Sequence, residues 1–428
     1  MSGHLGRSVS IIGVGCSPIG DLLATPELDG FGEHELFTLA AMEAMENGNI
    51  EAKDIDAYYL GWVAPNYYGK VQCASPHYAE WLGLRYKPSY FHDEGCATFN
   101  VGLQQAVMAV ASGTYDCVLA GGVNVNMSEP ELYLPQHMRK PMDPGYFWGM
   151  IGTAVEPGYE KPGASSLTPL VEDGLITYCK KYGVTFDQLA QANINYVKIQ
   201  RNNALKNPKA ALVVESFEEE ADRFGFDSVD EYLMSDIFNP KIGLFLRAKW
   251  SGMMIDGASA VIVCETEKAK QIVKKPIEVA GFGAATARIK DGVVVPTNYQ
   301  ERCYKMAYSM AGITDPANEV DYLSVHDCPA ANIFLVSETC GYFEPGQSWK
   351  AMVDGRVAID GGKPINTSGG RTQMGHPTAA ANGIEIGEAV MQMRGEAGER
   401  QIPNPPKVSM IEGGGAGISE TSVILRTI

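Results

Sequence analysis

Four stretches of the chain gather residue types that can form covalent intermediates or move protons. The first is His92-Asp-Glu-Gly-Cys96-Ala-Thr-Phe-Asn-Val-Gly102. A glycine before the cysteine and a helix-like run after it predict a thiol at a strand-to-helix turn. There it faces unpaired N–H groups and the positive end of the helix dipole, and both favour thiolate. The plainer reading is a buried capping cysteine. The second stretch, Val325-His326-Asp327-Cys328-Pro329, ends an apolar run. His326 and Cys328 stand at i and i+2, so on an extended chain they project to one side and can line one cleft. A thiol beside an imidazole suits proton transfer, whereas a histidine satisfied by a neighbouring carboxylate is the competing reading. The third, Thr367-Ser-Gly-Gly-Arg-Thr-Gln-Met-Gly375-His376-Pro377, places His376 in a glycine-rich loop, with Pro377 positioned to start a helix. A cleft-facing histidine and a solvated turn histidine fit it equally. The fourth, Glu412-Gly413-Gly414-Gly415-Ala416-Gly417, can present backbone N–H groups to an oxyanion, although glycine-rich turns are common.

Elements of two kinds must position these residues. Short apolar runs at 8–15, 55–60, 115–121, 259–264, 276–282, 320–325, 407–411 and 421–425 predict strands. Helical periodicity covers 35–45, 98–111, 299–311, 330–340 and 379–393. Strands alternating with helices indicate an α/β fold in layers with largely buried strands. The halves echo each other. A glycine-ended strand leads to a helix and then to Ile55-Asp-Ala-Tyr-Tyr-Leu in one, and Val279-Ala-Gly-Phe-Gly leads to a helix and Val320-Asp-Tyr-Leu-Ser-Val in the other. The division expected is an N-terminal half at 1–123 and 250–275, an inserted loop domain at 124–249, and a C-terminal half at 276–428. The insertion is rich in Met, Pro, Tyr and charged residues and poor in strand signals, and long insertions often carry binding residues.

Composition excludes several classes of function. Acidic residues outnumber basic ones 51 to 34, for a formal charge of −17, which repels nucleic acid and leaves no basic block to offset it. No run reaches the roughly 18 apolar residues of a membrane span, and the N-terminus lacks the apolar stretch of a signal peptide. Nine cysteines, an odd number with no CxxC pair, point to reduced thiols in a cytoplasmic protein rather than to disulfides or a zinc ribbon. GxGxxG at a strand–helix junction, GxxxxGK[ST], HExxH and GxSxG are all missing, and the seven histidines show no metal-ligand spacing.

A cysteine at a helix start, two histidine-bearing loops in the C-terminal half and a terminal glycine run, in this order over nearly the whole chain, resemble the thiolase superfamily. His326-Asp327-Cys328 looks most like the sterol-carrier-protein-2-type and archaeal-type thiolases. The resemblance implies a duplicated αβαβα layered core with a mid-chain loop domain. It also implies cleavage of a 3-oxoacyl-CoA by CoA through an acyl-enzyme on Cys96, with His376 as its base. His326 and His376 would hold the enolate oxygen, and the N–H groups of Cys96 and Gly414 the tetrahedral adduct. Common-type thiolases carry a proton-transferring cysteine in a terminal Cys-x-Gly, which here reads Glu412-Gly413-Gly414, so Cys328 would take over that task. CoA would act as co-substrate, with no permanently bound cofactor and no metal. Its phosphates would call on Lys198, Arg201, Arg247, Lys249 and Ser251 of the insertion and its edge. A homodimer, and a separate small zinc-ribbon/OB-fold subunit, are implied partners. Thr98-Phe99-Asn100 is bulkier than the family norm, and Pro329 replaces a common Phe, so a reshaped acyl pocket is expected. With Tyr133, Tyr146, Phe147 and Trp148 in the insertion, an aryl substrate such as that of benzoylsuccinyl-CoA thiolase is one reading. A biosynthetic acetoacetyl-CoA-type thiolase, a decarboxylating ketoacyl synthase and a non-catalytic scaffold of the same fold are the others.

Overall fold

The computed structural model describes residues 6–64, 72–128, 136–142, 167–287, 298–415 and 419–428. Nine strands form one mixed sheet: β1 (Val9–Cys16), β2 (Ala57–Gly61), β3 (Ser89–His92), β4 (Cys117–Asn124), β5 (Gly257–Glu265), β6 (Ile277–Thr286), β7 (Tyr322–Ser324), β8 (Val408–Gly415) and β9 (Ser419–Thr427). Their order is β3-β2-β4-β5-β1-β6-β9-β8-β7. Four principal helices pack on it: α1 (Glu33–Asn47), α2 (Thr98–Ala111), α7 (Asn298–Ala311) and α8 (Ala381–Arg394). Between β4 and β5 the described residues add α3 (Leu167–Tyr182), α4 (Phe186–Leu205), α5 (Phe217–Arg223) and α6 (Val229–Met234).

The sheet order contains the same arrangement twice. β2-β4-β5-β1 on one side corresponds to β7-β8-β9-β6 on the other, and the halves meet through a short β1–β6 pairing at Ser10 and Ile11. Strands β4 and β5 are buried along almost their whole length, the pattern of strands covered on both faces. α1 covers one face of the first half-sheet and α7 the corresponding face of the second. α2 and α8 lie side by side and reach both half-sheets. Gln104 of α2 donates to Gly283 O of β6, Ser259 Oγ of β5 donates to Ala380 O just before α8, and Asn382 of α8 donates to Glu412 O of β8. The result is an αβαβα stack with a helical middle layer.

A local device is repeated as well. β1 carries a bulge between Ile11 and Gly13, and β6 carries one between Val279 and Gly281. A Cβ at Gly13 would lie 2.0 Å from Ala44 O of α1, and one at Gly281 would lie 2.4 Å from Ala307 O of α7. Both helices therefore rest directly on strand backbone, which only glycine permits. The echo between Ile12-Gly-Val-Gly and Ala280-Gly-Phe-Gly thus has a packing cause.

One strand lies outside the sequence expectations, and two expectations are corrected. β3, at four residues, carries no usable sequence signal. β7 stops at Ser324 rather than Val325, because the Asn366 side chain takes over the ladder: Val325 N–H donates to its Oδ1 (2.8 Å) and its Nδ2 donates to Val325 O (3.0 Å). The glycine run after Ile411 is strand rather than loop as far as Gly415, since β8 stays paired with β9 through Gly415 and Ser419.

Gly13→Ala should lose about 1–3 kcal/mol of stability, the usual effect of forcing a methyl into a packed contact. Urea denaturation measures it, and an unchanged midpoint would contradict the α1–β1 contact.

Candidate active site

Cys96 sits in a tight turn between β3 and α2. Thr98 fixes the turn by accepting the Glu94 N–H (2.8 Å) and donating to Gly95 O (2.6 Å), while Gly95 takes a positive φ of 55°. His376 arrives from the other half of the chain. Its N–H donates to Met253 O (2.8 Å) and its carbonyl accepts from Ile255 N–H (3.3 Å), which ties the loop to the segment leading into β5. These anchors bring His376 Nε2 to 3.1 Å from Cys96 Sγ. His326, just past β7, completes the group: its ring lies 5.1 Å from that of His376, centroid to centroid. One ligand atom each from Cys96, His326 and His376 lies within 4.8 Å of the others.

The His326 loop is held from several sides. Its N–H donates to Glu412 Oε2 (2.6 Å), and its carbonyl accepts from Asn332. Its Nδ1 lies 3.0 Å from Gly414 O, which can only accept, so Nδ1 carries the proton. In the neutral ring Nε2 is therefore an acceptor, and His326 can donate to an enolate oxygen only after gaining a second proton. Asp327 accepts from Tyr196 (2.8 Å), Thr372 (2.8 Å) and the Arg371 backbone N–H (2.7 Å), which couples this loop to α4 and to the His376 loop. A Cβ at Gly370 (φ 60°) would meet Asp327 Oδ2 at 2.2 Å, so glycine is required there. Cys328 donates its S–H to Gly252 O at 3.5 Å.

Burial dominates the electrostatics. His376 is 1% exposed and His326 8%. Burial and then the Arg371 charge push His376 down to about 3, and the same causes hold His326 far below the ordinary imidazole range, so both rings rest neutral. Burial pushes Cys96 up to about 11 against the lowering charge of Arg371, and it pushes Cys328, beside Cys96 and Asp327, up to about 12. The helix start does not by itself overcome desolvation, and both thiols rest protonated. Burial also raises Glu412 and Glu420, and a hydrogen bond between them puts the proton on Glu420.

The other expected residues are placed as follows. Gly414 lies on β8 with its carbonyl on His326. The cations proposed for CoA already have carboxylate partners: Lys198 with Asp230 (3.7 Å), Arg201 and Lys249 with Glu220 (2.9 and 3.0 Å), and Arg247 with Asp236 (2.9 Å). Arg201 and the Lys249 carbonyl both bond Gln373, three residues from His376, and Ser251 adjoins Gly252. Phe99 does not shape an acyl pocket. It packs into the core against α8, where a Cβ at Gly383 would lie 2.2 Å from its ring, and Asn100 bonds Thr421. Tyr133, Tyr146, Phe147 and Trp148 lie outside the described residues. One sulfur and two imidazoles are ligand types that zinc accepts, but the Arg371 charge beside them opposes a dication. Sequence reading passed over Arg371, Glu412, Asn366 and Tyr196. Arg371 stood within a quoted motif, and a cation flanked by glycines in a loop without exposed charge was the available signal.

Residues 9–211 match the family description "Thiolase, N-terminal domain" and residues 289–427 match "Thiolase C-terminal domain-like". The chain belongs to the thiolase family. An acetyl-CoA acetyltransferase of Methanothermobacter thermautotrophicus is 29% identical to this thiolase over 403 residues, which cover 92% of this chain and 93% of its own. Human sterol carrier protein 2 is 24% identical over 426 residues, 93% of this chain and 68% of that protein. The Ltp2–ChsH2(DUF35) aldolase has the same fold, with a TM-score of 0.72 at 20% identity over 98% of each chain. Human mitochondrial 3-ketoacyl-CoA thiolase aligns at 0.64 and 14% identity over 99% of each. As a member of this family the protein is an acyltransferase. Among the described residues no helix is long and apolar enough to cross a membrane.

Because the Cys96 thiol is raised to about 11, the reactive thiolate fraction grows with pH throughout the neutral range. Iodoacetamide labelling of Cys96, followed by peptide mass mapping, should accelerate about tenfold per pH unit between pH 7 and pH 10. A plateau below pH 8 would contradict a resting site in which the Cys96 thiol is held protonated.

Proposed function

We propose that this thiolase cleaves 3-oxoacyl-CoA with CoA through an acyl-enzyme on Cys96. The observation that carries the reading is the 3.1 Å contact between His376 Nε2 and Cys96 Sγ. As the sulfur attacks the 3-oxo carbon, its proton passes to His376, the pairing expected of an activated nucleophile. The C2–C3 bond then breaks, leaving the acyl group on Cys96 and an enolate of the departing acyl-CoA. Imidazolium His376 donates Nε2–H to the enolate oxygen, and His326 joins it only when protonated at Nε2. The N–H groups of Cys96 and Gly414 serve the tetrahedral adduct, where each such donor typically contributes about 3–4 kcal/mol. Cys328 gives its proton to the enolate carbon and recovers one from CoA, whose thiolate then takes the acyl group and expels the Cys96 thiolate, which regains its proton from imidazolium His376. Glu412, at the position of the common-type Cys-x-Gly cysteine, is 1% exposed and committed to the His326 N–H, which leaves the proton transfer to Cys328.

CoA enters as co-substrate, its phosphates reaching the Lys198, Arg201, Arg247, Lys249 and Ser251 side of α4 and α5. That contact requires Glu220 and Asp236 to share their cations with the ligand. The acetyl-CoA acetyltransferase relatives favour a short acyl group over an aryl one, and acetoacetyl-CoA assayed beside benzoylsuccinyl-CoA decides between them. Among the described residues β3 is an edge strand, and its exposed Tyr90 and Phe91 support a homodimer. The two-component name of the aldolase neighbour supports a separate small subunit for this chain also. A ketoacyl synthase would need no proton-transferring thiol, so Cys328 disfavours it.

Cys96→Ser should remove CoA-dependent cleavage altogether. Cys328→Ala should lower turnover by about 10²–10⁴-fold, the usual range for loss of a general acid–base. Thiolysis by Cys96→Ala at the wild-type rate would end the proposal.

A further inference from the structure

Arg371 is a fully buried cation that no carboxylate of the described residues neutralises directly. It is 1% exposed and lies in the loop between Asn366 and His376. Of its guanidinium nitrogens, Nη1 donates to Val325 O (3.0 Å), whereas Nε and Nη2 have no partner among the described residues. Among the described residues no carboxylate oxygen lies within ion-pair distance of it. The acids around it are occupied elsewhere. Asp327 accepts from Tyr196, Thr372 and the Arg371 backbone, Glu385 accepts from the Ser324 and Ser368 hydroxyls, and Glu412 accepts from the His326 N–H and the Glu420 proton. Its backbone is close to the chemistry: a Cβ at Gly252 would lie 2.6 Å from Arg371 O and 3.1 Å from Cys328 Sγ.

A buried ion left unpaired is expensive, so its field must fall on something that gains from it. The Arg371 guanidinium is tied to Val325 O, one residue before His326, whose ring nitrogen lies within 4.8 Å of Cys96 Sγ and of His376. Among the described residues the other charged groups that act on Cys96 are Asp93 and Glu412, and Cys328 lies in the same field. Arg371 is the sole cation in that set, because both imidazoles rest neutral. We propose that Arg371 is a positioning residue for the nucleophile, its unpaired buried charge favouring the anionic sulfur of Cys96 over the neutral thiol. The direction agrees with the electrostatics: Arg371 lowers Cys96 and Cys328, as it lowers the buried carboxyls of Glu385 and Glu412, and it opposes protonation of His326 and His376. The same field steadies the departing enolate without any contact to it. The inference rests on Cys96 as the nucleophile.

The test uses the full chain and two variants, Arg371→Met, which keeps bulk and removes charge, and Arg371→Lys, which keeps charge and removes the planar fork. The readout is the rate of iodoacetamide labelling at Cys96 between pH 7 and pH 10, with folding followed by circular dichroism. The Met variant should label at least tenfold more slowly at every pH, and the Lys variant within about threefold of wild type. A folded Met variant with the wild-type rate overturns the inference. So does a Lys variant slowed as much as the Met variant, and the Lys arm decides alone if the Met variant does not fold. Failure of wild-type Cys96 to label at any pH strikes the nucleophile assignment instead.

Discussion

A single proton-sharing contact, His376 Nε2 against Cys96 Sγ, joins residues 280 positions apart, and the fold is arranged around it. Both residues stand just before a helix of the middle layer, Cys96 before α2 and His376 before α8. Duplication placed those helices side by side, so their leading loops open onto the same edge of the stack. The site is therefore a seam between two copies of one arrangement. Each copy lends a different chemical group to it.

The seam is largely buried, with Cys96 and Cys328 only partly exposed, and burial sets the resting state. Two neutral imidazoles, two protonated thiols and a proton on Glu420 leave the reacting groups themselves uncharged before substrate arrives, with the Arg371 cation behind them. Dipoles and donors fixed in such a medium act strongly on charge that appears only during reaction. Water would weaken them and would also hydrolyse an acyl thioester. The rigidity comes from polar networks packed behind the site: Asp327 with Tyr196 and Thr372, Asn366 along the end of β7, and Glu412 on the His326 backbone.

Much of this was legible in the chain itself. Alternating strand and helix signals, the repeated Gly-x-Gly within a strand and the motifs around Cys96, His326 and His376 each reflect a local physical requirement, so each leaves a local trace. Other features are products of the assembled fold. β3 is four residues stabilised by a neighbour, the glycine run of β8 is strand only because β9 continues beside it, and the raised Cys96 thiol reflects burial that no local pattern reports. Phe99 seemed a change to the acyl pocket, yet its bulk is received by Gly383 from the far end of the chain. Arg371 escaped notice because its burial, with two guanidinium nitrogens unpartnered among the described residues, is a property of the assembled fold.

The most direct measurement is acid quenching of the wild-type protein seconds after mixing with acetoacetyl-CoA, followed by peptide mass mapping. The account predicts an added acetyl mass on the peptide that carries Cys96 and on no other. An acetyl group on Cys328, or turnover with no covalent adduct at any quench time, would contradict it.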